Sequence, residues 1–156
     1  MNINTQLKEM WNINNRINIL LITELDAKAL QISSSPRGRN IEAQFAHLLN
    51  VRISWLEVAN KELAKKMKKI SKDEKIGKEK LIKTFTDNGK IFEKFIEASI
   101  EKGGKVSGFK RGIIPFLGYI VSHEAHHRGN ILLTLKQHGI KLDEKTKWAM
   151  WEWDRI

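Results

Sequence analysis

The sequence contains no cysteine, which excludes several kinds of chemistry at once. Without thiols the chain forms no disulfide, offers no thiolate to a metal and has no cysteine nucleophile. Any metal site must therefore be built from histidine and carboxylate side chains. The same absence is typical of cytoplasmic proteins, so we expect that location.

Long apolar runs are also missing. No stretch reaches the roughly 18 apolar residues that a membrane-spanning helix needs, so we expect no membrane partner. The first residues, MNINTQLKEMW, lack the basic and then apolar layout of a signal peptide. A chain of 156 residues with 41% hydrophobic composition predicts a single domain, residues 1–156, around one core.

Proline is scarce and glycine is clustered, and together they divide the chain. Breaks fall at SSSPRGRN (33–40) and GGKVSGFKRG (103–112), with a weaker one at SKDEKIG (71–77). Between them, apolar residues recur at spacings of three and four, and strand-like alternation is nearly absent. This pattern predicts an all-α protein, a four-helix bundle with a short C-terminal tail. Asn40 is the expected N-cap of the second helix, Lys78 starts the third, and Gly139 ends the fourth.

The charge of +10 raises the question of nucleic-acid binding. Residues 61–80 hold nine lysines against four acidic residues, which accounts for half of that charge. This stretch has no arginine and no interleaved aromatic residue, the side chains best suited to gripping phosphates and bases. We therefore expect a solvated helix end and linker, and no specific nucleic-acid partner.

The segment HEAHHRGN (123–130) concentrates three of the five histidines. His123 and His127 are four residues apart, so on a helix they lie one turn apart on the same face and can reach one ion. His126 points about 100° away from His127. A third ligand is expected, and His47 on the second helix lies at the edge of an apolar stripe. The residues predict a metal site of His47, His123 and His127 on facing helices.

The same segment also matches the H-E-x-x-H pattern of zinc proteases. The extended form of that pattern needs glycine at 130 and histidine at 133, where this chain has Asn130 and Leu133. The remaining downstream candidates, Glu144 and Glu152, lie in a charged and aromatic tail. We therefore interpret the match as accidental.

Glu124 then has two alternative functions. It pairs with a basic neighbour such as Arg128, four residues on. Alternatively it orients a metal ligand or acts as a general base beside the metal. The sequence leaves both open.

Two segments carry a resemblance to a known family. RNIEAQFAHLLNVRISWLE (39–57) resembles the second helix of the DinB-like metalloenzymes, and HEAHHRGNILLTLKQHG (123–139) resembles the fourth, although Asn130 stands where the family usually has glutamine. The resemblance covers nearly the whole chain. It implies an up-down-down-up bundle, a homodimer, and a divalent ion, most often zinc or nickel, on the three histidines.

The resemblance also bears on activity. It implies thiol-dependent transferase or isomerase chemistry on a small-molecule substrate, with a low-molecular-weight thiol as cofactor. A hydrolase using metal-bound water and a non-catalytic metal-binding protein are the alternatives.

The tail, KWAMWEWDRI, contains three tryptophans in six residues. Each large aromatic side chain can bury roughly 150–250 Å². We therefore expect the tail to dock across one end of its own bundle, or else to form a subunit contact or a lip over the metal pocket. We also expect Trp148 and Trp151 to dock together.

Overall fold

The computed structural model describes residues 2–72 and 74–156. Four long helices were expected and are present: α1 (Ile3–Glu24), α3 (Ile41–Ala59), α5 (Lys78–Glu101) and α6 (Ile113–Gln137). Three short helices were not predicted: α2 (Ala27–Leu30), α4 (Lys61–Ala64) and α7 (Glu144–Ala149). Within the described residues β-pairing is limited to two isolated bridges. None of the described helices is both long enough and apolar enough to cross a membrane.

Side-chain contacts fix the directions of α1 and α5. Near the start of α1, Lys8 pairs with Glu97 near the end of α5 at 2.8 Å. Further along α1, Asn15 donates to the Phe85 carbonyl at 3.2 Å, nearer the start of α5. The two helices are therefore antiparallel.

The other two long helices complete the topology. Gln44 of α3 lies near His127 of α6, whereas Trp55, further along α3, packs on Phe116 at the start of α6. The helices α3 and α6 are thus antiparallel. Because Leu7 of α1 shares an apolar cluster with Phe116 and later α1 residues cluster with later α6 residues, α1 and α6 are parallel. The bundle is up-down-down-up, as expected.

The predicted helix ends are confirmed. Asn40 caps α3, with its side-chain oxygen accepting from the Ala43 N–H at 2.8 Å. Helix α5 begins at Lys78. Helix α6 ends before Gly139, whose φ of 73° is a left-handed conformation that glycine adopts without strain.

Two apolar clusters fill the two ends of the bundle, and a layer of buried polar side chains separates them. One cluster contains Leu21, Phe45, Phe85 and Ile131, and the other contains Trp11, Leu56, Phe92 and Phe116. The layer between them comprises Asn14, Asn15, Asn18, Arg52, Asn88, Glu124 and Arg128. Such a layer is costly unless its groups bond one another.

The long connection from α4 to α5 carries most of the lysine-rich stretch. Its backbone is fixed by the Asn50 side chain, which donates to the Ile70 carbonyl at 2.8 Å and accepts from the Ile70 N–H at 2.9 Å. Glu42 likewise accepts from the Gly77 N–H at 2.7 Å. Ile70 and Ile76 are buried, while the lysines between residues 65 and 75 are exposed. This agrees with the expected solvated linker.

The tail docks on its own bundle, as expected, but not through its tryptophans. Residues 144–149 form a helix, α7, and Met150 packs with Ile13 and Ile17 of α1. Trp148 and Trp151 nevertheless remain 65% and 77% exposed. The expectation that these two tryptophans dock on their own bundle is wrong, because Thr146 and Met150 supply the buried face of the tail instead.

Candidate metal centre

The three predicted histidines meet between α3 and α6. The ring centroids of His123 and His127 are 4.8 Å apart, and the ring of His47 lies 5.3 Å from His123 and 4.8 Å from His127. One nitrogen from each ring lies within 4.8 Å of the others, and all three residues are half-buried. The group could therefore hold a metal ion.

The donor set suits a divalent transition metal. Three nitrogens on one tetrahedral zinc would lie about 3.3 Å apart, given Zn–N distances of about 2.0–2.1 Å. The nitrogens of the three rings lie within 4.8 Å of one another, so binding one ion requires them to move closer together. In addition, Nδ1 of His123 is buried and has no hydrogen-bond partner among the described residues. A buried nitrogen without a partner destabilises the folded state, and an ion that coordinates this imidazole would offset part of that free-energy cost.

Local electrostatics keep these imidazoles neutral. Burial, together with the nearby His123 and His47, lowers the pKa of His127 to about 4. Burial also lowers the pKa of His47, with Arg39 adding to the effect. Burial lowers the pKa of His123 although Glu124 opposes it. Neutral imidazoles are the form that binds a metal, so the site needs no deprotonation at pH 7.

Gln44 is a site residue that the sequence reasoning missed. Its Oε1 lies 3.4 Å from Nδ1 of His127, and its side chain is buried. If Nδ1 of His127 carries the proton and donates to Gln44, Nε2 keeps the lone pair for a metal. The sequence feature that indicates a role for Gln44 is its position three residues before His47, because this spacing places both side chains on one face of α3.

The other two histidines lie outside the group, as expected. His126 is exposed, and its Nε2 lies 3.1 Å from the Asn130 side chain. His138 sits at the end of α6, with Nδ1 2.9 Å from the Thr134 carbonyl, which is a helix-end contact.

Glu124 lies in the buried polar layer, and its main partner is Arg52. Arg52 donates Nε to Oε1 at 2.6 Å and Nη2 to Oε2 at 2.9 Å. Asn14 and Asn18 each donate to Oε2 at 2.7 Å. Arg128, the partner suggested by spacing, donates to the side-chain oxygens of these two asparagines at 2.9 Å instead. The contacts therefore favour a structural pairing for Glu124, through a different arginine.

The charge state of Glu124 follows from these contacts. Burial by itself raises the pKa of this carboxyl, but the charge and hydrogen bonds of Arg52, with help from Arg128 and Asn14, outweigh it and hold the pKa below its ordinary value. Glu124 is thus a buried carboxylate that accepts from fixed donors. Because it directly follows His123, the network also fixes the rotation of α6 that points His123 and His127 towards α3.

Two cavities border the triad of His47, His123 and His127. A cavity of about 830 Å³ borders His47 and lies between the loop before α3, the start of α3 and the α4–α5 connection. A smaller one of about 350 Å³ borders His127. Arg39 lines both. The volumes are sufficient for a small organic molecule beside the metal centre.

Aromatic side chains bound the opposite end of the triad. Tyr119 lies one turn before His123, and the two rings stack with centroids 6.3 Å apart. Trp55 contacts Tyr119 edge-on, with centroids 5.6 Å apart. These rings border the histidine group near His123, whereas the two cavities border His47 and His127.

The fold and the three histidines together define a class of helical-bundle protein with a three-histidine group that could hold a metal ion. The DinB family profile matches residues 1–152, and the chain belongs to that family. No curated protein matches the chain, and no solved structure does.

Within the described residues, the tail supplies no third metal ligand of the kind that the zinc-protease alternative requires. Glu144 pairs with Lys147 at 2.6 Å, and Glu152 pairs with Arg155 at 3.1 Å. Neither belongs to the histidine group within the described residues. The accidental interpretation of H-E-x-x-H therefore agrees with the geometry.

Proposed function

We propose that the protein is a metal-dependent enzyme that binds a divalent ion, zinc or nickel, on His47, His123 and His127. The single observation that carries this proposal is the convergence of three neutral, half-buried imidazoles on one point. Three protein ligands with open coordination positions are typical of catalytic rather than structural metal sites.

We propose thiol-dependent transfer as its chemistry, with a low-molecular-weight thiol as cosubstrate. A divalent ion held in this way lowers the pKa of a water or thiol on its open positions. The chain supplies no cysteine of its own, so a thiol nucleophile would have to come from outside. The protein's share is to hold the ligands, to orient His127 through Gln44 and to bound the approach with Tyr119 and Trp55.

A metal-dependent hydrolase is the second candidate. It needs the same three ligands and the same open positions, but no thiol. One observation supports the hydrolase. The cavity beside His47 is lined by polar and charged side chains, which suit water as well as a polar substrate. A non-catalytic metal-binding protein is the third, and it predicts a bound ion without turnover.

The partners are a small molecule in the flanking cavities and a second copy of the chain. The exposed tryptophans Trp148, Trp151 and Trp153 are the proposed subunit contact, since clustered apolar surface is typical of interfaces. We propose a cytoplasmic location and no specific nucleic-acid partner, because the exposed lysines lack interleaved arginine and aromatic residues.

Cobalt substitution followed by thiol titration tests the proposed chemistry. Binding of 2-mercaptoethanol as a thiolate to a cobalt-loaded centre should produce an intense charge-transfer band in the near ultraviolet. His126→Ala is the matched control, because it removes an exposed histidine of α6 outside the group. It should retain the band, whereas His127→Ala should lose it. Cobalt binding without any thiol band would favour the hydrolase or the non-catalytic candidate.

A further inference from the structure

Basic side chains outnumber acidic ones among the described residues that line the cavity beside His47. Among its described lining residues are four basic side chains, Arg37, Arg39, Lys72 and Lys75, all exposed. The part of the chain that the structure describes gives none of the four an ion-pair partner. Unpaired cations around one concave surface create a positive potential that attracts anions.

The acidic residues that the structure describes in the same cavity are already engaged. Glu42 is buried and accepts from the Gly77 N–H at 2.7 Å and from Gln31 at 3.3 Å. Glu74 pairs with Lys80 at 2.8 Å. These carboxylates therefore leave the four cations free to bind a ligand.

Arg39 differs from the other three cations by its position. It lines the cavity next to His47 and also the cavity next to His127, so it stands at their junction beside the histidine group. Its charge also acts on the group, since it adds to the burial that lowers the pKa of His47 and of His127. Both cavities that border the histidines therefore share the Arg39 side chain as part of their lining.

We propose that Arg39 binds an oxyanion group, a carboxylate or a phosphate, of the molecule that reacts at the histidine centre. The proposal rests on the proposed function and names the substrate class, an anionic small molecule. Arginine suits this task because its planar fork donates two parallel hydrogen bonds to such a group. Lys72 and Lys75, on the α4–α5 connection, add positive charge on the cavity's other wall.

This assignment also gives part of the lysine-rich stretch a function beyond solubility. The Asn50–Ile70 hydrogen bonds hold the connection against α3, and Glu42 holds its end at Gly77. The connection thereby supplies a wall of the cavity beside His47, made of Ile70, Ser71, Lys72, Glu74 and Lys75.

The test compares thiols that differ only in charge on the cobalt-loaded protein. The charged probe is 3-mercaptopropionate, and its neutral counterpart is 3-mercaptopropionamide. At low ionic strength the carboxylate should bind about tenfold more tightly, as a charge-assisted hydrogen bond predicts. The compound 2-mercaptoethyl phosphate, run against the same neutral thiol, shows whether a phosphate is preferred to a carboxylate.

The matched variants are Arg39→Gln and Arg37→Gln, which remove one exposed arginine each from the same cavity. Arg39→Gln should remove most of the preference for the charged thiol and leave the neutral thiol's affinity within about twofold of the wild type. Arg37→Gln should keep most of the preference. Equal binding of charged and neutral thiols to the wild type, or an intact preference in Arg39→Gln, would overturn the proposal.

Failure of the proposed chemistry can be told apart from failure of the anion site. If no thiol gives a charge-transfer band, the thiol chemistry is wrong, and inorganic phosphate becomes the probe. Calorimetry on the zinc-loaded protein should then show phosphate binding that Arg39→Gln removes. Phosphate binding that is absent, or that Arg39→Gln leaves unchanged, would overturn the anion site as well.

Discussion

Arg52 and Glu124 form a bidentate ion pair at the centre of the bundle, with Nε 2.6 Å from Oε1 and Nη2 2.9 Å from Oε2. Neither side chain is more than 1% exposed. The guanidinium also lies over the rings of Trp11 and Phe85, at 4.5 and 4.8 Å from their centroids. The pair joins α3 to α6. Glu124 directly follows His123 and Arg52 lies five residues after His47 on the same helix, so the pair couples the core to the site.

Glu124→Gln should strongly destabilise the protein. The substitution leaves the Arg52 charge buried without a counter-ion, which typically costs about 3–5 kcal/mol. Urea unfolding measures the loss. Adding Arg52→Met to Glu124→Gln should recover part of it, because the unpaired charge is then removed. Glu62→Gln is the control: it breaks an exposed pair with Lys65 and should change little. Equal effects of Glu124→Gln and Glu62→Gln would contradict the assigned pairing.

Gly89→Ala should also destabilise, by overpacking. A Cβ at this position would lie 2.3 Å from the Asn15 amide nitrogen, and that amide is held by the Phe85 carbonyl and by Arg52. Such a clash typically costs about 1–3 kcal/mol. Gly118→Ala, on α6, is the matched control, because a Cβ there meets nothing within 4 Å. It should be neutral or stabilising by up to about 1 kcal/mol. Thermal or urea unfolding separates the two, and a stabilising Gly89→Ala would count against the described packing.

The sequence predicted the helices and the histidine group because both depend on local spacing. Apolar residues at intervals of three and four determine which face of a helix is buried, and His123 and His127 are one turn apart on any helix. His47 was found because a polar residue at the edge of an apolar stripe needs a partner. The pairing of His123 with His127 required no knowledge of which helices touch, whereas the addition of His47 relied on the expected bundle.

The missed contacts depend on tertiary packing. Arg52 interrupts the apolar stripe of α3, which indicates that it has a buried partner. Spacing alone could not show whether α1, α5 or α6 supplies that partner. Arg39 lies in a loop whose path is set by the fold. The exposed tryptophans were expected to be buried on size alone, and a short helix can bury only one of its faces. Trp148 and Trp151 do not lie on the face that is buried, so both side chains remain exposed.

The metal-free protein should lose stability as the pH falls. The pKa of His127 is about 4 in the fold, against an ordinary value of 6.5. Between these values the unfolded chain takes up a proton that the folded chain excludes, so the free energy of unfolding decreases from about pH 6.5 towards about pH 4. Above about pH 6.5 His127 is neutral in both states and contributes no such dependence.

Urea unfolding of the wild type and of His127→Gln across that pH range isolates this contribution. The wild type should lose more stability on acidification than the variant, since the variant has no proton to exclude at this position. The carboxylates, including Glu124, titrate in both proteins and cancel in the difference. Parallel curves for the two proteins would show that His127 titrates normally in the fold.

The exposed tail predicts a subunit contact. Replacing Trp148 and Trp151 by serine should shift a homodimer towards monomer with little change in the unfolding of each chain, because both side chains are largely exposed in the single chain. Light scattering after size-exclusion chromatography measures the mass. Ile114→Ser, at an exposed apolar residue at the start of α6, is the control and should leave the mass unchanged. A wild-type monomer, or a dimer unaffected by the tryptophan substitutions, would remove this interface.

Metal content is the most direct test of the account, because every functional proposal depends on the histidine group. Elemental analysis of the purified protein should find about one divalent ion per chain, as a three-ligand site predicts. His47→Ala, His123→Ala and His127→Ala should each lose most of it, while His126→Ala, with its exposed side chain, should keep it. Full metal retention in His123→Ala would contradict the site.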